Sequence, residues 1–287
     1  MRYAYYPGCT AHTTSKEYEM SVHAVCEELD IELIEIEDWN CCGALEATGL
    51  LLYALNARTL ALSEKGERTK GLDVVAACNA CYINLAKTNV ELKENEELRK
   101  KISEIDASLD YKGTLNVRHI LDVIANDVGE EKIKSKVKKN LGIKVAPYYG
   151  CFIGRPSNAA FDDPDDPTAM DRVLEAAGAE VVDFRRKAKC CGGGLMMFNP
   201  EISYAMTRMI LDEAKRADVD CISVACPLCQ MMLDAKQQDI EEKYNEEYKI
   251  PVLYFTQLLG LALGISEGKL GLGKVIVSPK RVLDKVK

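Results

Sequence analysis

The chain has 287 residues, with 37 basic against 45 acidic, for a formal charge of −8. That balance, with one Trp and five Phe, argues against a nucleic-acid groove or an aromatic base-stacking platform. Twelve cysteines are too few for a small disulfide scaffold, and a chain this long buries its cores without staples.

Short apolar runs alternate with longer helical periods along the chain. A strand is expected over 2–6, just before Cys9, then a helix over 15–29. A strand over 32–36 leads to Cys41-Cys42, and a helix follows over 44–64. A strand over 72–76 leads to Cys78-x-x-Cys81, with helices over 82–92 and 117–127. A Lys-rich helical stretch over 129–140 reads as a solvated face. The order then recurs: strand 144–148 and Cys151, helix 168–177, strand 180–183 and Cys190-Cys191. Helix 201–217, strand 221–224, Cys226-x-x-Cys229 and helices 227–244 and 256–263 complete it. This order predicts an α/β chain of two pseudo-symmetric halves, 1–143 and 144–287, each a small mostly parallel sheet with crossover helices. The start of the chain reads as a strand rather than a signal peptide. The most apolar stretch, 253–265, is too short to span a bilayer. A reducing cytoplasmic setting with free thiols is expected.

The repeat is carried most clearly by its cysteines. Between the single Cys and the adjacent pair lie 31 residues in one half and 38 in the other; between the pair and C-x-x-C lie 35 and 34. Tyr6-Pro7-Gly8-Cys9 matches Tyr148-Tyr149-Gly150-Cys151, and Cys41-Cys42-Gly43 matches Cys190-Cys191-Gly192. All ten cysteines fall just past the carboxyl ends of strands, where open α/β sheets place their ligands. Cys26 and Cys221 lie outside the repeat and read as small buried hydrophobes.

Five thiols per half exceed the four ligands of a closed zinc site, and the contiguous ferredoxin-type cysteine run is absent. Adjacent cysteines can serve neighbouring metals or bridge them. A polynuclear cluster explains the count better than one zinc, while structural zinc, a mixed zinc and iron–sulfur pair, or disulfides stay open on spacing alone.

The tandem pattern of Cys, Cys-Cys-Gly and Cys-x-x-Cys resembles the cysteine-rich CCG domain family. Over nearly the whole chain it is similar to the B subunits of the methanogen CoB–CoM heterodisulfide reductases. The resemblance implies two noncubane [4Fe-4S] clusters. One takes Cys9, Cys41, Cys42, Cys78 and Cys81; the other takes Cys151, Cys190, Cys191, Cys226 and Cys229. It implies a catalytic subunit that reduces the coenzyme M–coenzyme B heterodisulfide to two thiols. Implied partners are a small iron–sulfur subunit with two cubane clusters, a flavin (FAD) subunit, and a hydrogenase or formate dehydrogenase joined through flavin-based electron bifurcation. The alternative is an electron-transfer subunit of another CCG-type enzyme, of the glycolate or lactate oxidase or quinone reductase type.

Reducing one disulfide takes two electrons, so two one-electron clusters facing one cleft suit a two-sulfur substrate. A substrate anionic at both ends needs local positive charge on an acidic protein. Candidate binding residues are Arg155, the basic run holding Lys187 and Lys189, and His12, which is also a candidate proton donor. His119 reads as a packed or capping residue. The basic, Gly-rich segment 268–287 reads equally well as a docking tail or a plain one.

Overall fold

A computed structural model describes residues 1–286 and builds each half on one sheet. In the first half, β1 (Arg2–Tyr6) is followed by α1 (Lys16–Glu28), β2 (Glu32–Glu35), α2 (Gly49–Lys65) and β3 (Val74–Ala76). Then come α3 (Asn79–Glu94), α4 (Glu96–Ser103), β4 (Val117–His119) and α5 (Ile120–Asp122), which runs on in wider turns through Val123–Val128. Helix α6 (Glu130–Lys136) links the halves. The second half holds β5 (Lys144–Tyr148), α7 (Ala169–Ala176), β6 (Glu180–Val181), α8 (Pro200–Arg216) and β7 (Cys221–Val224). It continues with α9 (Pro227–Gln230), extended by Met231–Ala235, then α10 (Gln237–Tyr244), β8 (Val252–Tyr254), α11 (Phe255–Ala262) and α12 (Lys280–Leu283). Residue 287, the last of the expected second half, lies outside the described residues.

Both sheets are four-stranded and wholly parallel, in the order β2-β1-β3-β4 and β6-β5-β7-β8. The α/β class and the two similar halves therefore stand as expected. Two assignments need correction. Residues 117–119, expected to begin a helix, form β4 and pair with β3 in register Val74↔Val117. Residues 252–254, for which no strand is expected, form β8 and pair with β7. Each is a three-residue edge strand that runs straight into a helix, so its period of two is too short to register against the helical pattern beside it.

In each sheet the chain leaves its first strand toward one edge and later returns to the other side. The switch point therefore lies between β1 and β3, and between β5 and β7, where carboxyl-end loops splay apart and leave a crevice. The central strands are fully covered: Ala4, Val74, Val75, Ala76, Val145, Ala146, Ile222 and Val224 are all at 0% exposure.

The halves exchange helices. α1 packs on α11, and α7 packs on α5 and its extension. At the first contact the Tyr18 and Tyr254 rings stack at 3.9 Å and 4°, while Ser21 Oγ and Thr256 Oγ1 lie 2.6 Å apart. At the second, His119 stacks on Phe161 at 5.9 Å. The Lys-rich linker is not a solvated face throughout. Lys132 and Lys136 donate to the last carbonyls of α1 (Leu29 and Glu28), which favours the negative end of that helix.

His119 caps α5 by accepting the Leu121 amide at Nδ1, 3.0 Å away. Burial holds its imidazole at about 4, below the ordinary 6.5. The unfolded chain therefore takes up the proton first, so this contribution is intact above about pH 6.5 and is lost as pH falls toward 4. Between pH 6.5 and 5 we expect a loss of about 2 kcal/mol from this group. His119→Asn keeps a capping acceptor but not the titration. Urea midpoints compared at pH 7 and 5 should show a shallower acid loss in that variant; an unchanged slope would refute the assignment.

Candidate metal centre

The two crevices are built alike. After β1 and β5 the chain turns through Gly8 and Gly150, at φ +79 and +72. A Cβ on Gly8 would stand 2.9 Å from Cys81 Sγ, and one on Gly150 would stand 2.9 Å from Cys229 Sγ. Both glycines are thus needed twice, for the left-handed turn and for the sulfur beside it. Tyr6 donates its hydroxyl to the Asn40 carbonyl (2.8 Å), and Tyr148 donates to the Lys189 carbonyl (2.6 Å). Each bond ties the strand end to the residue before the cysteine pair. Burial first, then the surrounding thiols, raises both phenols far above their ordinary range.

The pairs themselves are held by their carbonyls. Asn56 and Asn84 donate to Cys42 O, and Thr207 donates to Cys191 O at 2.7 Å. Backbone amides then face sulfur: Gly192 N–H reaches Cys190 Sγ at 3.3 Å and Gly193 N–H reaches Cys191 Sγ at 3.4 Å. Such donors stabilise thiolate or sulfide charge.

The repeat thiols gather at the two crevices, and each lies close enough to others of its set to shift their titration. Cys42 Sγ lies 3.6 Å from Cys81 Sγ, and Cys41 Sγ lies 3.9 Å from Cys9 Sγ. Cys78 and Cys226, one from each half, are near neighbours across the seam, and Cys78 also faces the cavity described below. Cys42 is held below the ordinary thiol range by Cys41 and then Cys81. Cys190 is likewise held down by Cys151 and then Cys191. Their neighbours Cys41 and Cys191 are pushed up in exchange, because touching thiols cannot all lose protons without cations. Among the described residues no three His, Cys, Asp or Glu converge as ligands for a single ion. The donor set, soft sulfur in two groups of five with amides aimed at it, fits iron–sulfur clusters. Cys26 and Cys221 are buried at 1% and 0%, outside both sets.

A cavity of about 450 Å³ opens over the first set. Cys9, Cys41, Cys42, Cys78 and Cys81 line it, and none of the second five cysteines does. Its far wall comes from the other half, through Leu228, Gln230 and Met231, and from the C-terminal segment through Lys274 and Ile276. Asp234 anchors that segment by accepting the Ile276 and Val277 amides at 2.9 Å each, and the Gln230 side chain at 2.8 Å. Leu45, at φ +73, forms the rim where the two cysteine-pair loops meet; a Cβ on Gly194 would touch it at 3.2 Å.

The four expected substrate-binding residues do not line this cavity. His12 stacks on Trp39 and faces Glu35 at 3.9 Å. Arg155 pairs with Asp165. Lys187 is only 13% exposed and is held between Asp166 (2.6 Å) and Asp171 (3.2 Å). Lys189 sits on an open basic rim with Arg185, Arg186 and Arg216. The cation in the cavity wall is instead Lys274, from the basic segment 268–287 whose pattern alone assigns it no role. The signal for it is Gly271, at φ +67, where a Cβ would strike the Glu17 backbone at 2.7 Å: a close approach only glycine permits.

Comparison with known proteins agrees with this geometry. The CCG cysteine-rich domain matches twice, at residues 3–86 and 145–234. The chain is 35% identical to the 8-methylmenaquinol:fumarate reductase membrane anchor subunit of Wolinella succinogenes, over 98% of both chains. It is also 35% identical to the B subunit of the Ferredoxin:CoB-CoM heterodisulfide reductase of Methanosarcina mazei, over 97% of this chain and 95% of that one. A solved hypothetical protein from Helicobacter pylori shares the fold, with TM-score 0.73 and 13% identity over 96% of this chain and 52% of that one. Among the described residues no helix is long and apolar enough to cross a membrane. The doubled motif, the two matching sheets and the full-length similarity together place this chain in the CCG cysteine-rich domain family, in the branch that includes the B subunits of heterodisulfide reductases.

Proposed function

We propose that the chain is the catalytic iron–sulfur component of a heterodisulfide reductase, converting the coenzyme M–coenzyme B mixed disulfide to two thiols in one-electron steps. The observation that carries this is the doubled set of five cysteines, the first of which lines a cavity whose wall holds one lysine. Each set of five cysteines holds one noncubane [4Fe-4S] cluster. When bound, the pair supplies the two electrons that one disulfide needs, with two protons completing the thiols.

The chain's own residues bind and orient. Lys274 receives an anionic end of the substrate, Gln230 offers an amide, and Leu45, Met231 and Ile276 take the apolar body. We expect Lys274→Glu to raise KM for the disulfide about tenfold, with kcat and iron content little changed. A KM equal to wild type would remove Lys274 from the binding site.

The protein works in a cytoplasmic complex with a small iron–sulfur subunit, which carries two cubane clusters, and with a flavin (FAD) subunit. Electrons enter that complex from a hydrogenase or formate dehydrogenase. A second reading rests on the Wolinella relative, similar to the same degree: a component passing electrons between a quinol and a soluble oxidoreductase. Anaerobically purified protein assayed with reduced viologen separates the two. Heterodisulfide turnover supports the first reading; turnover with a menaquinone analogue and none with the disulfide supports the second. Colourless, iron-free protein overturns both.

A further inference from the structure

We propose that the basic face formed by Arg185, Arg186, Lys189 and Arg216 docks an acidic protein carrying a one-electron centre, so that electrons enter at the second set of five cysteines. This rests on the iron–sulfur reading above.

The duplication supplies an internal control. In each half a groove lies between the loop leading to the cysteine pair and the helix that follows. The first-half groove, about 430 Å³, is lined by Glu35, Glu37, Asp38 and Glu67 against Lys65 and Arg68. The second-half groove, about 520 Å³, sets four cations against the single carboxylate of Glu213. The same architecture thus carries opposite charge at its two copies. A loop that merely needed solvation would satisfy that need with either sign. On a chain of net charge −8, a compact basic concavity steers acidic partners to one spot.

The cations are presented outward. Among the described residues Arg185, Lys189 and Arg216 make no ion pair, whereas Lys187 of the same run turns inward to Asp166 and Asp171. The loop is also fixed to the cysteines. The Tyr149 and Gly150 amides donate to Lys187 O at 2.8 and 2.9 Å, and Tyr148 grips Lys189 O with its ring among Cys229, Cys191, Cys151 and Cys190. A partner seated here lies beside Cys190 and Cys151, the half-exposed members of the second set. The cavity over the first set is lined by none of the residues of this basic face, so donor and substrate do not compete for one opening. Each docking event moves one electron: the carrier is oxidised by one, the second-half centre is reduced by one, and no covalent bond changes. Two such events match one disulfide. The occupant is read as a protein because the face adjoins the half-exposed Cys190 and Cys151, where a redox partner could exchange an electron.

The test uses the intact holo-protein and an oxidised acidic two-cluster ferredoxin as probe. Its Kd is measured by calorimetry at about 20 mM and about 200 mM salt, where screening differs several-fold. For Arg185→Glu/Lys189→Glu/Arg216→Glu we expect at least about tenfold weaker binding at low salt, with reduction by dithionite unchanged. Arg185→Gln/Lys189→Gln should give a smaller loss in the same direction and serves if the triple variant does not fold. Glu37→Lys/Glu67→Lys, in the first-half groove, should shift Kd by less than about twofold. Wild-type affinity in the substituted proteins overturns the proposal. So does an equal shift from the first-half swap, which would reveal only total charge. Binding to phosphatidylserine vesicles that is lost in the triple variant, with ferredoxin binding intact, overturns it in favour of a lipid surface. Protein lacking iron, or not bleached by dithionite, refutes the iron–sulfur reading separately, since the affinity is measured without turnover.

Discussion

Replacing Cys78 or Cys226 with alanine is expected to cut iron from about eight to about four per chain and to lower disulfide reduction by about 100-fold or more. These two thiols are near neighbours across the seam, one from each half, at 8% and 1% exposure. On the cluster reading proposed above, each would be the ligand of its set nearest the other half, and its loss would leave that set with four thiols. Iron and acid-labile sulfide assays, with paramagnetic resonance of the reduced protein, read the result directly. Cys26→Ala and Cys221→Ala are the controls: both sit in core packing and should cost about 1 kcal/mol with iron unchanged. Full iron in Cys78→Ala, or iron loss in Cys221→Ala, would contradict the ligand assignment.

Gly8→Ala and Gly150→Ala should each empty one half while sparing the other. Two costs combine. An L-residue at these positive φ values is strained by about 1–2 kcal/mol, and its Cβ would press on a sulfur at 2.9 Å. The obstructing atom is the sulfur of a buried cysteine, Cys81 or Cys229, and not a flexible surface group that can step aside. We expect about 1–3 kcal/mol lower stability and roughly half the iron. Gly268→Ala meets nothing within 4 Å and should leave both quantities as they were. If Gly150→Ala keeps its full iron content, the close approach to Cys229 does not matter.

Much of this was legible in the sequence, for identifiable reasons. Covalent spacing survives folding, so matched gaps between ten cysteines announced the duplication. Cys9, Cys78, Cys151 and Cys226 follow strands directly, which put them at the crevice before any coordinate was known. What stayed hidden depended on chain order being overruled by packing. β4 and β8 are too short to show a period. The exchange of α1 and α7 between halves leaves no mark on either helix's own pattern. Lys187 looked free because its partners, Asp166 and Asp171, lie well upstream of the basic run and reach it only through the fold. Lys274 looked idle because nothing in its own segment reveals that Asp234 holds Ile276 and Val277 beside the cavity.

The reciprocal packing of α1 on α11 and of α7 on α5 has a consequence for how such a molecule can change. It is the contact pattern of a two-fold dimer, in which one patch meets its own copy. A pair of identical single-repeat chains would make every contact twice and would be bound to keep both rims the same. Written as one chain, the copies are released from that identity. One rim has become acidic and the other basic, and the cavity of about 450 Å³ is lined by the first set of thiols and not the second. Fusion turned a symmetric object into one with a front and a back.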